Sequence, residues 1–135
     1  MKDLIYLVLV IAIGVVVIKW YTSREPAAHE AAVKTLTAAE AKALLDADEE
    51  IVLLDVRTQE EFNAGHISGA ICIPNETISP EQEIPFGKDV KLFLYCRSGR
   101  RSAEAAKKLV SMGYTDVTDF GGIIDWPYEV VTEET

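Results

Sequence analysis

Two short runs in which every residue is apolar, Ile51-Val52-Leu53-Leu54 and Leu92-Phe93-Leu94-Tyr95, constrain the fold of this chain more than any other feature. A strand with one wet face alternates apolar and polar residues. A run apolar at every position needs cover on both faces, as in a strand inside a parallel sheet. Helix signals lie around these runs. Thr37-Ala38-Ala39-Glu40 is a capping box that opens a helix through about Asp46, and Thr58-Gln59-Glu60-Glu61 opens a short helix that ends before Gly65. Ile71-Cys72-Ile73 reads as a short strand halted by Pro74, and residues 75–89 read as loop. A helix from about Ser102 carries an apolar stripe of Ala103, Ala106, Leu109 and Val110, with Gly113 at its left-handed C-terminal position. Asp116–Phe120 is the last strand expected, followed by Gly121-Gly122. Strands alternating with helices predict an α/β fold with a mainly parallel central sheet flanked by helices.

The N-terminus is of another kind. Leu4–Ile18 is apolar throughout, broken only by Gly14. That is short of the roughly 20 residues a membrane span needs, but a snorkelling Lys19 and the interfacial pair Trp20 and Tyr21 lengthen it. A helix apolar on every face at a chain end has nothing obvious to pack against. No small-x-small cleavage pattern follows in Lys19–Pro26, and no cysteine is there to take a lipid. Residues 1–21 are therefore expected to be a single-pass transmembrane anchor or an uncleaved signal segment, with membrane contact through residues 4–21. Residues 22–34 read as a polar linker in which His29 is solvated, and residues 35–135 as one folded domain. Lys2 and the terminal amine favour a cytoplasmic N-terminus, whereas Lys19 and Arg24 favour a cytoplasmic domain. Charge leaves the side of the domain undetermined.

Acidic residues outnumber basic ones by 22 to 13, a formal charge of −9, which argues against a nucleic-acid partner, whose phosphates need a basic surface. The cysteines are Cys72 and Cys96 and the histidines His29 and His66. They form no CxxC or HxxxH spacing, so no metal site is expected. Against the acidic background, Arg97, Arg100 and Arg101 crowd into the stretch that begins with Cys96.

Cys96 follows a buried strand and precedes a helix, the place where open α/β sheets bind ligands. A turn around its sulfur would aim backbone N–H groups at it, and the helix N-terminus and three guanidinium groups would add positive potential. These terms favour thiolate over thiol and so lower the Cys96 pKa. A free cysteine is commonly a small buried hydrophobe, but such a residue does not call for a ring of arginines, which are costly to bury without anions. Four residues separate Cys96 from Arg101, giving CxxxxR. Cysteine-dependent phosphatases use CxxxxxR, whose wider cradle fits a tetrahedral phosphate.

Cys96-Arg97-Ser98-Gly99-Arg100-Arg101 resembles the six-residue active-site loop of rhodanese domains. Asp55-Val56-Arg57, Glu60-Glu61-Phe62 and Gly65-His66-Ile67-Ser68-Gly69-Ala70 resemble the N-terminal rhodanese signature, and Gly121-Gly122 with Trp126 resembles the family's closing motif. The likeness covers roughly residues 35–130. It implies a rhodanese-like fold and a two-step sulfur transfer through a Cys96 persulfide, from a donor such as thiosulfate to cyanide or a thiol, a protein thiol included. It implies no metal or organic cofactor. In this reading the amides of residues 97–101 stabilise the persulfide, with Ser98 and Gly99 in the turn. Arg97 and Arg100 attract the donor, and Arg101 supports the loop and its anion. The alternatives are a non-catalytic docking module of the same fold and a phosphatase or arsenate reductase, which the short loop disfavours. Asp55 and Arg57 are expected to tie loops together near the strand ends. His66 is expected to be structural or on the surface of a turn, Trp126 a packing residue, and Cys72 a buried strand residue.

Overall fold

In a computed structural model the structure describes residues 1–22, 32–82 and 84–132. The chain divides into two compact units, Met1–Glu30 and Ala31–Thr135.

The first unit contains α1, Lys2–Thr22. Its Lys2–Trp20 stretch is long and apolar enough to cross a membrane, by length and composition. At 1.5 Å per residue it spans roughly 30 Å, the thickness of a bilayer's hydrocarbon core. A signal sequence has the same properties. The linker expected over residues 22–34 lies largely outside the described residues.

The second unit runs β1 (Lys34–Thr35), α2 (Ala38–Ala47), β2 (Val52–Asp55), α3 (Gln59–Ala64), β3 (His66–Ile67), β4 (Ile71–Cys72), β5 (Leu92–Cys96), α4 (Arg100–Ser111), β6 (Val117–Gly122) and β7 (Val130–Val131). The main sheet has the order β1-β6-β5-β2-β4, and every pair in it is parallel. Both capping threonines act as expected: Thr37 Oγ1 accepts from the Glu40 amide and Thr58 Oγ1 from the Glu61 amide. The central strand β5 is buried at every position, which is why its sequence shows no alternation. Leu92, Leu94 and Cys96 face one core with Leu54, Val56, Ala106 and Leu109. Phe93 and Tyr95 face the other with Leu53, Phe120 and Trp126.

Several details differ from the sequence-based expectation. Lys34, assigned to the linker, pairs with Thr118 as the first residue of the sheet. Helix α4 begins at Arg100, two residues early, because Gly99 adopts a left-handed φ of 102° and turns the chain into the helix at once. Its most buried residues are Ser102, Ala105, Ala106 and Leu109, so the stripe is rotated from the expected one and contains a serine. Gly121 and Gly122 lie within β6 rather than after it. His66 is in a strand rather than a turn, pairing with Val131. It is buried, stacked on the Phe62 ring at 3.7 Å, with Nδ1 2.8 Å from the Phe62 carbonyl oxygen.

Candidate active site

Cys96 ends the most buried strand and is itself only 1% exposed. The next residues, Arg97 and Ser98, are exposed, and Gly99 folds the chain back so that its amide donates to Cys96 Sγ at 3.0 Å. Helix α4 starts there, directing the free amides of its first turn toward the sulfur. Burial pushes the thiol pKa up. The hydroxyl and amide of Ser102 and the amides of Gly99 and Ser98 pull it down further, and the balance leaves it below its ordinary value. Hydrogen bonds from Ser102, Gly99 and Ser98 are the leading contributions to this lowering, and the charge of Arg101 also interacts favourably with the Cys96 thiolate.

Ser102 is the residue that the sequence reading missed. It is fully buried, and its hydroxyl lies 3.1 Å from the Gly99 carbonyl oxygen and 3.3 Å from that of Gly121. The available signal was a polar residue in the first turn of a helix whose buried face is otherwise alanine and leucine. Ser102→Ala is expected to raise the Cys96 pKa, so the rate of iodoacetamide alkylation should rise with pH along a curve displaced to higher pH. An undisplaced curve would assign the thiolate to the backbone amides alone.

The loop rests on β6. Leu94 aligns with Asp119 but Cys96 with Gly122, so β6 carries a bulge between them, at which Gly121 takes a φ of 94°. The bulge brings Gly122 against the carbonyl of Arg97, and the Ile124 amide donates to that same oxygen at 3.3 Å.

The three arginines divide. Arg97 and Arg100 are exposed at the mouth. Arg101 turns aside and makes a two-pronged pair with Glu61 of α3, Nη1–Oε1 at 2.7 Å and Nη2–Oε2 at 3.0 Å. Glu61, read from sequence as a capping residue and as part of the N-terminal signature but given no role at the site, therefore also supports the loop. The Arg101 hydrogen bonds outweigh part burial and hold the Glu61 carboxyl down at about 2. Above pH ~5 this group is ionised both folded and unfolded, and the pair contributes in full. As pH falls through 4.5 the unfolded chain takes up its proton first, and the contribution is gone near pH 2. Glu61→Gln is expected to cost about 1–2 kcal/mol in urea unfolding at pH 7, with the gap closing as pH approaches about 2. A gap unchanged by pH would mean that the loss comes from packing.

Asp55 and Arg57 form a buried pair at 2.6 Å, and Arg57 also donates to the Gly65 carbonyl at 2.7 Å. Tyr95 Oη accepts from the Ile67 amide at 3.0 Å. These bonds tie the ends of β2 and β5 to Gly65 and to Ile67 of β3, the structural role expected of Asp55 and Arg57. Trp126 packs between Phe120 and Tyr128 at centroid distances of 5.6 and 4.9 Å.

Cys72 is not placed to react with Cys96. It aligns with Asp55, which aligns with Tyr95, so it faces the opposite side of the sheet from Cys96. It also stands two strand spacings away, roughly 9–10 Å, beyond the ~7 Å that a disulfide tolerates between Cα atoms. Burial, then the charge of Asp55, pushes its thiol up to about 11. A groove of about 320 Å³ lined by Arg57, Glu61, Ala64, Gly65, Arg97, Ile123 and Ile124 borders the Cys96 loop. A larger cavity, about 450 Å³ between α2 and Trp126, includes no residue of the loop.

Residues 37–127 match the rhodanese-like domain family. The chain belongs to that family. This rhodanese-like chain is 37% identical over 97 residues to the putative sulfurtransferase YtwF of Bacillus subtilis, covering 72% of this chain and 93% of that protein. It is 36% identical over 74 residues to the thiosulfate sulfurtransferase PspE of Escherichia coli, covering 53% and 70%. The crystal structure of a rhodanese-like domain protein from Staphylococcus aureus superposes with a TM-score of 0.67 at 32% identity, over 76% of this chain and all of that one. Other relatives are longer: this rhodanese-like chain spans 26% of the probable adenylyltransferase/sulfurtransferase MoeZ of Mycobacterium tuberculosis, at 36% identity. The sulfurtransferase relatives place it in a sulfurtransferase family.

Proposed function

We propose that this rhodanese-like domain is a sulfurtransferase that carries sulfane sulfur on Cys96, with thiosulfate or a similar anion as donor. The observation that carries the reading is the seat of Cys96 Sγ. The sulfur is buried at the start of a helix, takes the Gly99 amide at 3.0 Å, and has its pKa lowered by the loop's hydrogen bonds. Such a seat suits a thiolate and equally a persulfide anion.

In the first step the Cys96 thiolate attacks the outer sulfur of thiosulfate. A Cys96 S–S bond forms, the donor's S–S bond breaks, and its electron pair leaves on sulfite. In the second step cyanide or a thiolate attacks the outer sulfur of the persulfide, and the electron pair returns to Cys96 Sγ. One exchange is divided into two easier ones, and no outside oxidant is required. Arg97 and Arg100, exposed at the mouth, draw the dianionic donor. Arg101, held by Glu61, supports the loop and its negative sulfur. Helix α1 would hold the domain at a membrane.

The test uses the full chain, extracted in detergent from the membrane fraction of expressing cells, reduced, and followed by intact mass. Thiosulfate should add one sulfur atom, and cyanide should then remove it. Recovery of the chain only from the soluble fraction would overturn the anchor. A mass unchanged by thiosulfate would overturn this donor class and favour a docking role.

A further inference from the structure

The groove beside the Cys96 loop has a chemistry that the inorganic substrates do not use. Its lining includes Ile123 and Ile124, the small residues Ala64 and Gly65, and Arg97 of the loop itself. Ile124 is 63% exposed, an unusual position for a large aliphatic side chain beside a charged loop. It is held there because its amide donates to the Arg97 carbonyl, the first carbonyl of the loop after Cys96. The apolar wall is therefore continuous with the nucleophile's own backbone. Two of the three charged groups that line the groove are already paired, Arg57 with Asp55 and Glu61 with Arg101. Arg97 remains as the exposed charge, close to where a sulfur anion reacts.

We propose that this groove seats the sulfur acceptor, and that the acceptor is a cysteine in a polypeptide with an apolar side chain beside it. This rests on the persulfide reading above and names its acceptor class. Thiosulfate and cyanide have no hydrocarbon surface to lay on Ile123 and Ile124, and small cellular thiols are polar and charged. An apolar side chain next to a cysteine covers the exposed face of Ile124, while its thiolate is drawn to the cationic mouth by Arg97 and Arg100. The step balances as RS⁻ plus Cys96–S–SH giving Cys96–S⁻ plus R–S–SH. An S–S bond forms at the acceptor, the bond to Cys96 Sγ breaks, and the electron pair stays on Cys96.

The experiment uses the detergent-solubilised full chain and two capped, uncharged peptides that differ only in a leucine or a glycine next to the cysteine. In the first arm the chain is loaded with thiosulfate, loading is confirmed by mass, and discharge is timed. The leucine peptide should accept sulfur about tenfold faster at equal, subsaturating concentration. Ile124→Ser should erase the preference and Ile124→Leu retain it, with thiosulfate loading and discharge to cyanide unchanged in both. In the second arm each peptide carries its cysteine as an aryl disulfide, and release of aryl thiolate by reduced Cys96 is timed. This arm needs no persulfide, so it reads the groove even where loading fails. Failed loading with a preference in the second arm overturns the persulfide function and keeps the groove as a docking site. Equal rates for both peptides, faster discharge to glutathione than to the leucine peptide, or a loss toward cyanide equal to the loss toward peptide would overturn the proposal.

Discussion

Cys96→Ser is expected to take up no sulfur from thiosulfate under conditions that load the wild-type chain, with turnover reduced at least about a thousandfold. A serine hydroxyl keeps its proton at neutral pH, and oxygen forms no stable counterpart of the persulfide. The replacement is nearly isosteric and the seat remains polar, because the Gly99 amide that donates to sulfur at 3.0 Å can donate to oxygen. Stability should therefore change by no more than about 1–2 kcal/mol. Intact mass after thiosulfate, thiocyanate formed on adding cyanide, and a urea melt read the three quantities. Residual sulfur uptake by the serine variant would move the nucleophile elsewhere, and Cys72 is the only other cysteine in the chain.

Gly122→Ala is expected to damage the site from beneath without touching a catalytic group. A Cβ at this position would overlap the Arg97 oxygen and lie 2.6 Å from its carbonyl carbon and 2.7 Å from Ser98 Cα. All three are backbone atoms, so no side-chain rotation relieves the contact, and the loop itself must lift. Backbone strain is not the cause, since Gly122 has an ordinary extended φ of −123°. Overpacking of this kind costs about 2–3 kcal/mol. A displacement of the loop by about 1 Å lowers transfer by about a hundredfold, and the Cys96 pKa rises as the Gly99 amide moves off. Gly121→Ala is the control. Gly121 has a left-handed φ of 94° but nothing within 4 Å of its Cβ position. It should lose about 1–2 kcal/mol from strain while keeping most of its transfer rate. Thiocyanate assays and urea melts on both variants separate the effects, and a Gly122→Ala chain with wild-type turnover would overturn this account of the loop's support.

The features legible in the sequence were those encoded within a few residues. The apolar runs at residues 51–54 and 92–95 stated that both faces of their strands are covered. The capping boxes at Thr37 and Thr58 placed two helix starts. The four-residue gap between Cys96 and Arg101 resembled the rhodanese loop, and the chain belongs to that family. Smaller segments escaped. The strands Lys34–Thr35, His66–Ile67 and Val130–Val131 are two residues each, too short to show a period, and they exist because a partner is at hand. The stripe of α4 was right at Ala106 and Leu109 but missed Ala105 and Ser102, the latter because a serine carries no hydrophobic signal although the fold buries it completely.

The division at the Cys96 loop follows the same line. That the Cys96 pKa lies below its ordinary value, and that backbone amides lower it, was readable from a cysteine between a buried strand and a helix, with arginines following. The Ser102 hydroxyl was not, and neither was the engagement of Arg101 by Glu61, 40 residues away in the chain. The support under the loop comes from a bulge in β6, and Ser102 reaches a carbonyl 19 residues on. Periodicity, caps and loop length are interactions of a residue with its near neighbours, so the sequence alone determines them. Contacts across 19 or 40 residues depend on strand order and register, and only the folded sheet, by bringing α3, α4 and β6 around one sulfur, decides them.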